Sequence, residues 1–334
     1  MHFLLTGGTG FIGQRLARRI IERGDKLTVL VRKTSKRGAL EKLGASFASG
    51  DLLTGEGLAE AARGVDCVLH LAGVTKSKDW EGYFQGNAEG TRRLVRALAE
   101  LPTPPRLVYC SSLAAGGPSV PGRPRREEEP AAPVSLYGRS KLGGEQALRE
   151  YAGRVPCVVL RPPIVYGPGD QEFLPSILPM ARLGLVLKSG FGPKHYSVIH
   201  VDDLCTALLA AAERGQTLKT EDPSTGVYTV SDGTEYAWEE VCAKLATALG
   251  HAKPPAVVPV PETVSYVVGL GSELAARVRG TVPMLSRDKV REMRCPAWTC
   301  STERATRELG FTPAIPLAQG LVSALSDYPE LRAR

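Results

Sequence analysis

Short apolar runs alternate with segments of helical periodicity through the first half of the chain. The apolar runs are typical of strands buried on both faces, and they lie at residues 2–6, 27–31, 46–49, 66–71, 106–110 and 156–161. Between them, apolar residues recur at the spacing of amphipathic helices at residues 11–23, 57–63, 87–100 and 136–151. This alternation predicts an α/β fold with a doubly wound parallel sheet, covered by helices on both faces.

The pattern changes after Arg161, where prolines become frequent and favour loops and short helices. A further strand is predicted at residues 227–231 and an amphipathic helix at 238–249. Residues 254–325 predict irregular chain with short helices, and the proline-rich, charged segment 118–133 predicts a loop. We therefore expect the C-terminal part to form a smaller lobe against the sheet.

A glycine-rich turn joins the first predicted strand to the first predicted helix. Gly7, Gly10 and Gly13 allow a tight turn, close approach of a phosphate, and close packing of the helix on the strand. A pyrophosphate placed there meets free N–H groups and the positive end of the helix dipole. Because the glycines stand between a strand and a helix, the turn predicts dinucleotide binding.

The end of the second predicted strand bears on the choice of dinucleotide. A carboxylate there would hydrogen-bond the ribose hydroxyls of NAD, but Arg32 and Lys33 occupy these positions. Cations can pair with the extra phosphate of NADP, so we predict that NADP(H) is favoured over NAD(H). The alternative is a solvated basic loop. Asp51, after the third strand, either accepts from the adenine amino group or caps the next helix.

These patterns suggest two structural units. Residues 1–165 and about 196–232 are predicted to form a Rossmann-type NADP-binding domain. Residues about 166–195 and 233–334 are predicted to form the substrate-binding lobe of the protein.

Composition excludes several classes of partner. The 334 residues include 42 basic and 35 acidic ones, a net charge of +7, but the basic clusters have helical spacing and no nucleic-acid motif accompanies them. The expected partner is a small molecule, not nucleic acid. Seven scattered cysteines and five histidines without ligand spacing predict neither disulfides nor a metal site.

The apolar stretches are too short or too interrupted for a membrane protein. Residues 2–5 already read as a buried strand, so no secretory signal is predicted. The longest apolar stretch, around 256–270, is broken by prolines and Glu262, so stable membrane insertion is not predicted either. We expect a cytoplasmic protein.

Tyr137 and Lys141 stand four residues apart at the start of a predicted helix, which places both side chains on one face. The lysine ammonium, together with the positive charge of oxidised nicotinamide, favours the phenolate and lowers the tyrosine pKa, so Tyr137 can exchange a proton with a carbonyl oxygen during hydride transfer. This spacing alone is near chance. Ser111 and Ser112, however, end the fifth strand at the ligand-binding edge of the sheet. Ser112 is expected to orient the reacting oxygen, whereas Ser111 is either a cofactor contact or the cap of a turn.

The sequence resembles the extended short-chain dehydrogenase/reductase family, which has epimerase, dehydratase and 3β-hydroxysteroid dehydrogenase-like members. The resemblance covers nearly the whole chain and rests on residues 6–13, 51–52, 70–73, 87–91, 111–112, 137–141, 160–170 and 199–203. It implies that Ser112, Tyr137 and Lys141 are catalytic, and that Lys141 also contacts the nicotinamide ribose.

The same resemblance implies which residues line the cofactor site. Residues 71–73 resemble the turn that passes under the cofactor, and residues 162–164 resemble the segment that contacts the carboxamide. Asn87 resembles a helix asparagine near the cofactor, although capping the helix is an equal alternative. With the glycine turn, the implied contacts are Gly7, Thr9, Gly10, Phe11, Ile12, Gly13, Leu52, Leu71, Ala72, Gly73, Asn87, Pro162, Pro163 and Ile164.

Substrate residues are less sharply indicated. Many sugar-nucleotide members carry an arginine where this chain has Tyr196, which weakens that substrate class, although Lys194 could substitute. Thr75 and Tyr196 are the candidate substrate contacts, beside Ser112. The apolar stretch 263–270 either walls a pocket for a hydrophobic substrate or belongs to the core.

The sequence thus predicts an NAD(P)-dependent carbonyl reductase or secondary-alcohol dehydrogenase for a hydrophobic or secondary-metabolite substrate. Two alternatives stay open, a sugar-nucleotide epimerase or dehydratase and a protein that senses NADP without turnover. A homodimer formed through the helices predicted at 87–100 and 136–151 is a further hypothesis.

Overall fold

The computed structural model describes residues 1–283 and 285–328. The strands are β1 (His2–Thr6), β2 (Lys26–Val31), β3 (Ser46–Ser49), β4 (Cys67–His70), β5 (Arg106–Cys110), β6 (Cys157–Arg161), β7 (Ile164–Tyr166), β8 (Leu185–Ser189), β9 (His195–Tyr196), β10 (Val198–His200), β11 (Val227–Thr229), β12 (Tyr236–Ala237), β13 (Ala256–Val260) and β14 (Ala297–Trp298). The helices are α1 (Phe11–Glu22), α2 (Gly38–Glu41), α3 (Leu58–Ala62), α4 (Trp80–Tyr83), α5 (Gly90–Ala99), α6 (Leu113–Gly116), α7 (Leu136–Glu150), α8 (Phe173–Ala181), α9 (Val201–Arg214), α10 (Trp238–Ala248), α11 (Glu262–Arg279), α12 (Arg287–Arg294) and α13 (Leu317–Ala324).

Within the described residues, seven parallel strands form the main sheet in the order β11-β6-β5-β4-β1-β2-β3. Leu5 of β1 lies opposite Val29 of β2 on one side and Leu69 of β4 on the other. The seven predicted strands are the seven strands of this sheet, so the predicted α/β, doubly wound parallel fold is confirmed. The strand order reverses between β1 and β4, and ligands of such sheets bind at the carboxyl ends of the strands beside this reversal.

Two apolar layers bury the sheet. On one face, α1 and α9 pack over residues such as Phe3, Leu69 and Val158. On the other face, α3, α5 and α7 cover residues such as Leu4 and Tyr109. Both layers are continuous, which explains why the strands read as apolar runs and not as alternating patterns.

The C-terminal part has its own apolar cluster. Tyr166, Leu178, Val198, Leu245 and Leu321 are fully or almost fully buried there. Small sheets extend this part, since β8 pairs with β13, and β9 lies between β12 and β14. The predicted loop 118–133 contains no named strand or helix.

Three helices differ from the sequence-based predictions. One is α9, a 14-residue helix after Arg161, where loops and short helices were expected. The helix predicted to start at residue 87 begins at Trp80, where Asp79 caps it, and it continues to the end of α5 through a π-helical segment, Phe84–Glu89. Residues 262–279, predicted to be irregular, form the 18-residue helix α11. The last residues of the predicted substrate-binding lobe, 329–334, and residue 284 lie outside the described part of the chain.

Candidate active site

The glycine turn brings β1 and α1 against the chain that follows β4. Gly7 has a positive φ of 72°, and its carbonyl accepts from the Gly10 N–H at 3.0 Å. A Cβ on Gly7 would lie 2.6 Å from the Ala72 nitrogen, and one on Gly13 would lie 2.2 Å from the Gly7 carbonyl oxygen. Only glycine therefore allows this turn to contact both α1 and residues 71–73.

The start of α1 fits a dinucleotide pyrophosphate. Gly10 caps this 12-residue helix without a side-chain hydrogen bond, and Thr9 and Gly10 are exposed. The N–H groups of the first turn, including those of Phe11, Ile12 and Gly13, are the donors that an α-helix leaves without intrahelical partners. Together with the helix dipole, they suit an anion at this end.

A buried series of hydrogen bonds connects the end of β1 to the end of β4 and the residues that follow it. The Ala72 N–H donates to Thr6 Oγ1, which is 2.7 Å from His70 Nδ1, and His70 Nε2 is 3.0 Å from Thr91 Oγ1. Thr91 donates its own proton to the Asn87 carbonyl, so His70 Nε2 donates to Thr91 and Nδ1 accepts from Thr6. Burial lowers the pKa of His70 to about 3, which keeps the imidazole neutral in this series.

Asn87 connects Val74 to α7, the helix that carries Tyr137 and Lys141. Its side chain accepts from the Val74 N–H at 2.7 Å and donates to the Val74 carbonyl and to Ser140 Oγ, both at 2.9 Å. The alternative role as a helix cap is wrong, because Asn87 lies inside the π-helical segment and is almost fully buried. Gly73 lies beside it, and a Cβ there would be 2.9 Å from Asn87 Oδ1.

Lys141 reaches the same place from α7. Its ammonium donates to the Cys110 carbonyl at 2.7 Å and lies 4.3 Å from the centre of the Tyr109 ring. A Cβ on Gly73 would be 3.7 Å from Lys141 Nζ. The lysine is therefore held at the end of β5, beside the loop that the glycine turn touches.

Tyr137 stands one turn before Lys141, and Ser112 lies close enough to its phenol to lower the phenol pKa. Ser112 also caps α6 by accepting from the Ala114 N–H at 3.2 Å. The structure thus brings Ser112, Tyr137 and Lys141 together at the carboxyl edge of the sheet.

Burial and neighbouring groups act on the Tyr137 pKa in opposite directions. Burial raises the pKa of Tyr137 to about 12, and the opposing effects of Lys141 and Ser112 only partly compensate. The phenol is consequently a protonated donor at neutral pH. Lys141 lowers this pKa, as predicted; the second predicted contribution, the positive charge of oxidised nicotinamide, belongs to the cofactor complex.

The neighbouring Ser111 has a different environment. It is buried and donates to Glu145 at 2.6 Å, and Arg161 binds the same carboxylate through two hydrogen bonds of 2.9 and 2.6 Å. This buried ion pair joins α7 to β6 behind Ser112. The Leu113 N–H donates to the Pro162 carbonyl at 2.8 Å, which places residues 162–164 beside the serine loop.

The candidate adenosine-side residues lie at the ends of β2 and β3. Arg32 and Lys33 are exposed, and within the described residues neither side chain forms an ion pair or a hydrogen bond; the Arg32 backbone N–H donates to Ser35 Oγ at 3.0 Å. Asp51 closes a local turn by accepting from the Leu53 N–H at 2.8 Å. Its alternative role as a helix cap is wrong, because α3 begins only after Gly57. Leu52, which follows Asp51, is partly buried.

The candidate substrate contacts come from segments far apart in sequence. Thr75 is exposed and donates to Glu172 at 2.5 Å. Tyr196 packs edge-on against Trp238, with ring centres 5.5 Å apart. Lys194 cannot take the place of a phosphate-binding arginine, because it is buried and donates to the carbonyls of Arg294 and Cys295 at 2.8 and 3.2 Å.

The apolar stretch 263–270 lies on α11, and most of it faces solvent. Val264, Val267 and Val268 are 46, 65 and 54% exposed, whereas Ser265 and Gly269 are buried. The alternative that this stretch belongs to the core is therefore wrong.

Two residues near Tyr137 were not predicted from the sequence. The Tyr83 ring lies 6.1 Å from the Tyr137 ring, and Asp288 accepts from the backbone N–H of Tyr137 at 3.2 Å. Lys289 lies close enough to Tyr83 and Tyr196 to influence the pKa of each. No sequence motif marks these residues, since they reach Tyr137 only through the tertiary fold.

Neither a metal centre nor a membrane span is found in residues 1–283 and 285–328. These residues contain no group of three or more His, Cys, Asp or Glu side chains arranged to hold a metal ion. They also contain no helix with the length and apolar character needed to cross a bilayer.

Comparisons with known proteins agree with this geometry. The model of the NAD dependent epimerase/dehydratase family matches residues 3–226. The chain is 30% identical over 300 residues to a ceramide reductase of Caulobacter vibrioides, covering 89% of this chain and 86% of the relative. It is also 30% identical over 338 residues to a 2-alkyl-3-oxoalkanoate reductase of Stenotrophomonas maltophilia, covering 96 and 97%.

Among solved structures, UDP-glucose 4-epimerase of Thermus thermophilus in complex with NAD superimposes with a TM-score of 0.76 at 25% identity, covering 98% of this chain and 99% of that one. The chain belongs to the NAD-dependent epimerase/dehydratase family of extended short-chain dehydrogenases/reductases. It is an NAD(P)-dependent oxidoreductase that acts on carbonyl or hydroxyl groups.

Proposed function

We propose that the protein is an NADP(H)-preferring carbonyl reductase, or secondary-alcohol dehydrogenase, for a hydrophobic or secondary-metabolite substrate. One observation carries the proposal, an unbroken series of contacts from the cofactor turn to the candidate acid. Gly7 lies against Ala72, and Gly73 lies beside Lys141. Tyr137 stands one helical turn before Lys141, and Ser112 lies near its phenol. A dinucleotide with its pyrophosphate at the turn would then have its nicotinamide beside Lys141, where the hydride donor and the Tyr137 phenol face one substrate carbonyl.

The nicotinamide, when bound, supplies hydride to the carbonyl carbon. Tyr137 donates its phenolic proton to the carbonyl oxygen as the negative charge on that oxygen develops. Ser112 holds this oxygen by a hydrogen bond, and the Lys141 ammonium stabilises the phenolate that remains. The product is the secondary alcohol, and the reverse sequence oxidises it.

The preference for NADP rests on charge at the end of β2. Arg32 and Lys33 are exposed and have no recorded ion-pair partner among the described residues, so both are free to meet a 2′-phosphate. Arginine offers a planar fork that matches phosphate oxygens. The remaining cofactor contacts are proposed at the turn, at Asp51 and Leu52, and at residues 71–73, 87, 111 and 162–164.

The proposed substrate lobe comprises residues 166–195 and 233–334, with Thr75 and Tyr196 at its boundary with the cofactor domain. The exposed apolar side chains of α11 support a hydrophobic ligand, because clefts that bind such ligands are lined mainly by apolar groups. The names of the two bacterial relatives point the same way, since ceramide and 2-alkyl-3-oxoalkanoates both contain alkyl chains.

The epimerase alternative is favoured by the structural likeness to UDP-glucose 4-epimerase. Against it stands the buried Lys194, which leaves Tyr196 without a cationic substitute for binding sugar phosphates. A direct test supplies NADPH with a panel of alkyl ketones and 3-oxoacids, and separately supplies NAD with UDP-sugars. We expect steady NADPH consumption with ketones. Conversion of a UDP-sugar without net cofactor consumption would overturn the proposal, and binding of NADP without any turnover would favour a sensor.

A further inference from the structure

Helix α12, from the C-terminal part of the chain, meets the first turn of the catalytic helix α7. Asp288 accepts from the backbone N–H of Leu136 through one oxygen at 2.7 Å and from that of Tyr137 through the other at 3.2 Å. One turn further along α12, Glu292 accepts from Ser135 Oγ at 2.7 Å. Ser135 in turn caps α7 by accepting from the Gly138 N–H.

These contacts satisfy donors that the helix itself leaves unpaired. The first N–H groups of an α-helix have no intrahelical acceptors, and a carboxylate is the acceptor best suited to the positive end of the helix. Asp288 is only 7% exposed, so its two hydrogen bonds are shielded from water. A cap usually comes from the residue before the helix, whereas here a carboxylate 151 positions away in sequence adds to it.

Tyr137 and Lys141 are consequently held from different parts of the molecule. Lys141 is fixed by the Cys110 carbonyl and the Tyr109 ring, both in β5 of the main sheet. The Tyr137 backbone is fixed by Asp288 of α12. The relative position of phenol and ammonium thus depends on how α12 docks against α7.

Helix α12 is also fastened to α11. Glu273 of α11 accepts from the backbone and side chain of Arg287, the first residue of α12, at 2.7 and 2.8 Å. Beyond α11, the Gly280 carbonyl accepts from Lys78 at 2.7 Å, which connects this region to the loop before α4. A movement of α11 would therefore be transmitted through α12 to the start of α7.

We propose that Asp288 is a positioning residue for the reaction, and that through it the docking of the C-terminal lobe sets the alignment of Tyr137 with Lys141. Asp288 touches neither substrate nor cofactor in this proposal. It acts through the backbone of the catalytic tyrosine. The kinetic part of the test rests on the proposed reductase function, and the structural part does not.

The kinetic test compares Asp288→Ala, Asp288→Asn and the wild type with NADPH and a ketone substrate. A misplacement of the acid by about 1 Å can cost roughly a hundredfold in rate, so we expect kcat of Asp288→Ala to fall about ten- to a hundredfold. The Kd for NADPH should change less than about twofold, because the glycine turn and Lys141 are untouched. Asp288→Asn keeps one acceptor and should recover part of kcat.

Glu240→Gln is the matched control. Glu240 forms an ion pair with Lys244 within α10, 3.3 Å apart, and within residues 1–283 and 285–328 it has no hydrogen bond or ion pair with α7, α11 or α12. We expect its kcat to stay near the wild-type value. A wild-type kcat in Asp288→Ala would overturn the proposal, as would equal losses in Asp288→Ala and Glu240→Gln.

Backbone hydrogen exchange tests, without any turnover, whether Asp288 holds the first turn of α7. In Asp288→Ala, the amides of Leu136 and Tyr137 should exchange at least about tenfold faster, while amides of β5 keep their protection. Unchanged exchange at these two amides would overturn the proposal. If the wild type reduces no carbonyl compound, the proposed function fails, but this exchange experiment still decides whether Asp288 holds the first turn of α7.

Discussion

The main sheet and helix α11 differ in how far their apolar side chains are buried. Every residue of β4 and β6 is buried, and two helical layers cover the sheet. On α11, Val267 and Val278 are 65 and 90% exposed, although the helix is as apolar in sequence as many core segments. The sheet region completes its own packing around the cofactor turn. The α11 region keeps apolar surface exposed beside α12.

This difference separates two tasks of the molecule. The dinucleotide has the same shape in every turnover, so it suits a rigid site. The fully packed sheet holds the glycine turn, Lys141 and Ser112 in fixed positions. A hydrophobic substrate needs apolar surface that is not already used for packing. We infer that the sheet region sets the chemistry and that the region around α11 and α12 adapts it to a substrate.

The largest effect is expected at the reacting group of the sheet region. Tyr137→Phe removes the phenolic proton and should lower kcat about 10²- to 10⁴-fold, since general acid catalysis contributes that much. The Kd for NADPH, measured by fluorescence titration, should stay within about twofold. Tyr83→Phe is the control, because its ring packs on Tyr137 but its hydroxyl has no role in the proposed proton transfer. Equal losses in both variants would place the acid elsewhere.

A pair of truncations tests the packing difference directly. Leu69→Ala in β4 leaves a cavity between fully buried neighbours and should cost about 2–5 kcal/mol of unfolding free energy. Val278→Ala on α11 should change this free energy by less than about 0.5 kcal/mol. Urea unfolding of the purified variants measures both. A large cost for Val278→Ala would show that a partner, such as a second copy of the chain, covers α11 in solution.

The buried His70 should make the sheet region sensitive to acid. Its pKa is lowered to about 3 in the folded protein, so the unfolded chain binds the proton first as pH falls below about 6.5. Stability is therefore fully present above that pH and is lost on acidification, by up to about 1.4 kcal/mol per pH unit from this group.

Thermal unfolding from about pH 7 to about pH 5 measures this effect. His70→Gln should flatten the pH dependence relative to the wild type. Identical slopes in the wild type and in His70→Gln would mean that another group controls the acid response.

The smallest effect concerns the edge of the cofactor site. Arg32→Ala removes one proposed phosphate contact and should raise the KM for NADPH about tenfold, because a charge-assisted hydrogen bond contributes about 1.5–3 kcal/mol. The KM for NADH should not change. Arg63→Ala, an exposed arginine at the end of α3, serves as control. Parallel increases with both cofactors would contradict a specific role at the 2′-phosphate.

The sheet, the glycine turn and the positions of Tyr137 and Lys141 could all be predicted from the sequence. Each follows from local order along the chain, namely apolar runs, glycine spacing, or two residues one helical turn apart. The sequence did not predict that the helix begins at Trp80, because Gly82 and Gly86 interrupt the helical pattern.

The remaining features depend on tertiary packing. Residues 263–270 are mostly apolar, with Thr263 and Ser265 the two polar residues, so the pattern of this stretch indicates neither a helix nor an exposed face. The net direction of the Tyr137 pKa depends on burial, and the contact of Asp288 with the start of α7 joins residues about 150 positions apart. No local pattern encodes such a contact.

A crystal structure of the protein with NADP tests the central claim most directly. We expect the pyrophosphate at the start of α1, Lys141 Nζ within hydrogen-bond distance of the nicotinamide ribose, and the Tyr137 hydroxyl facing the nicotinamide ring. A dinucleotide bound away from the glycine turn would contradict the account, and so would a nicotinamide ring that lies out of reach of the Tyr137 hydroxyl.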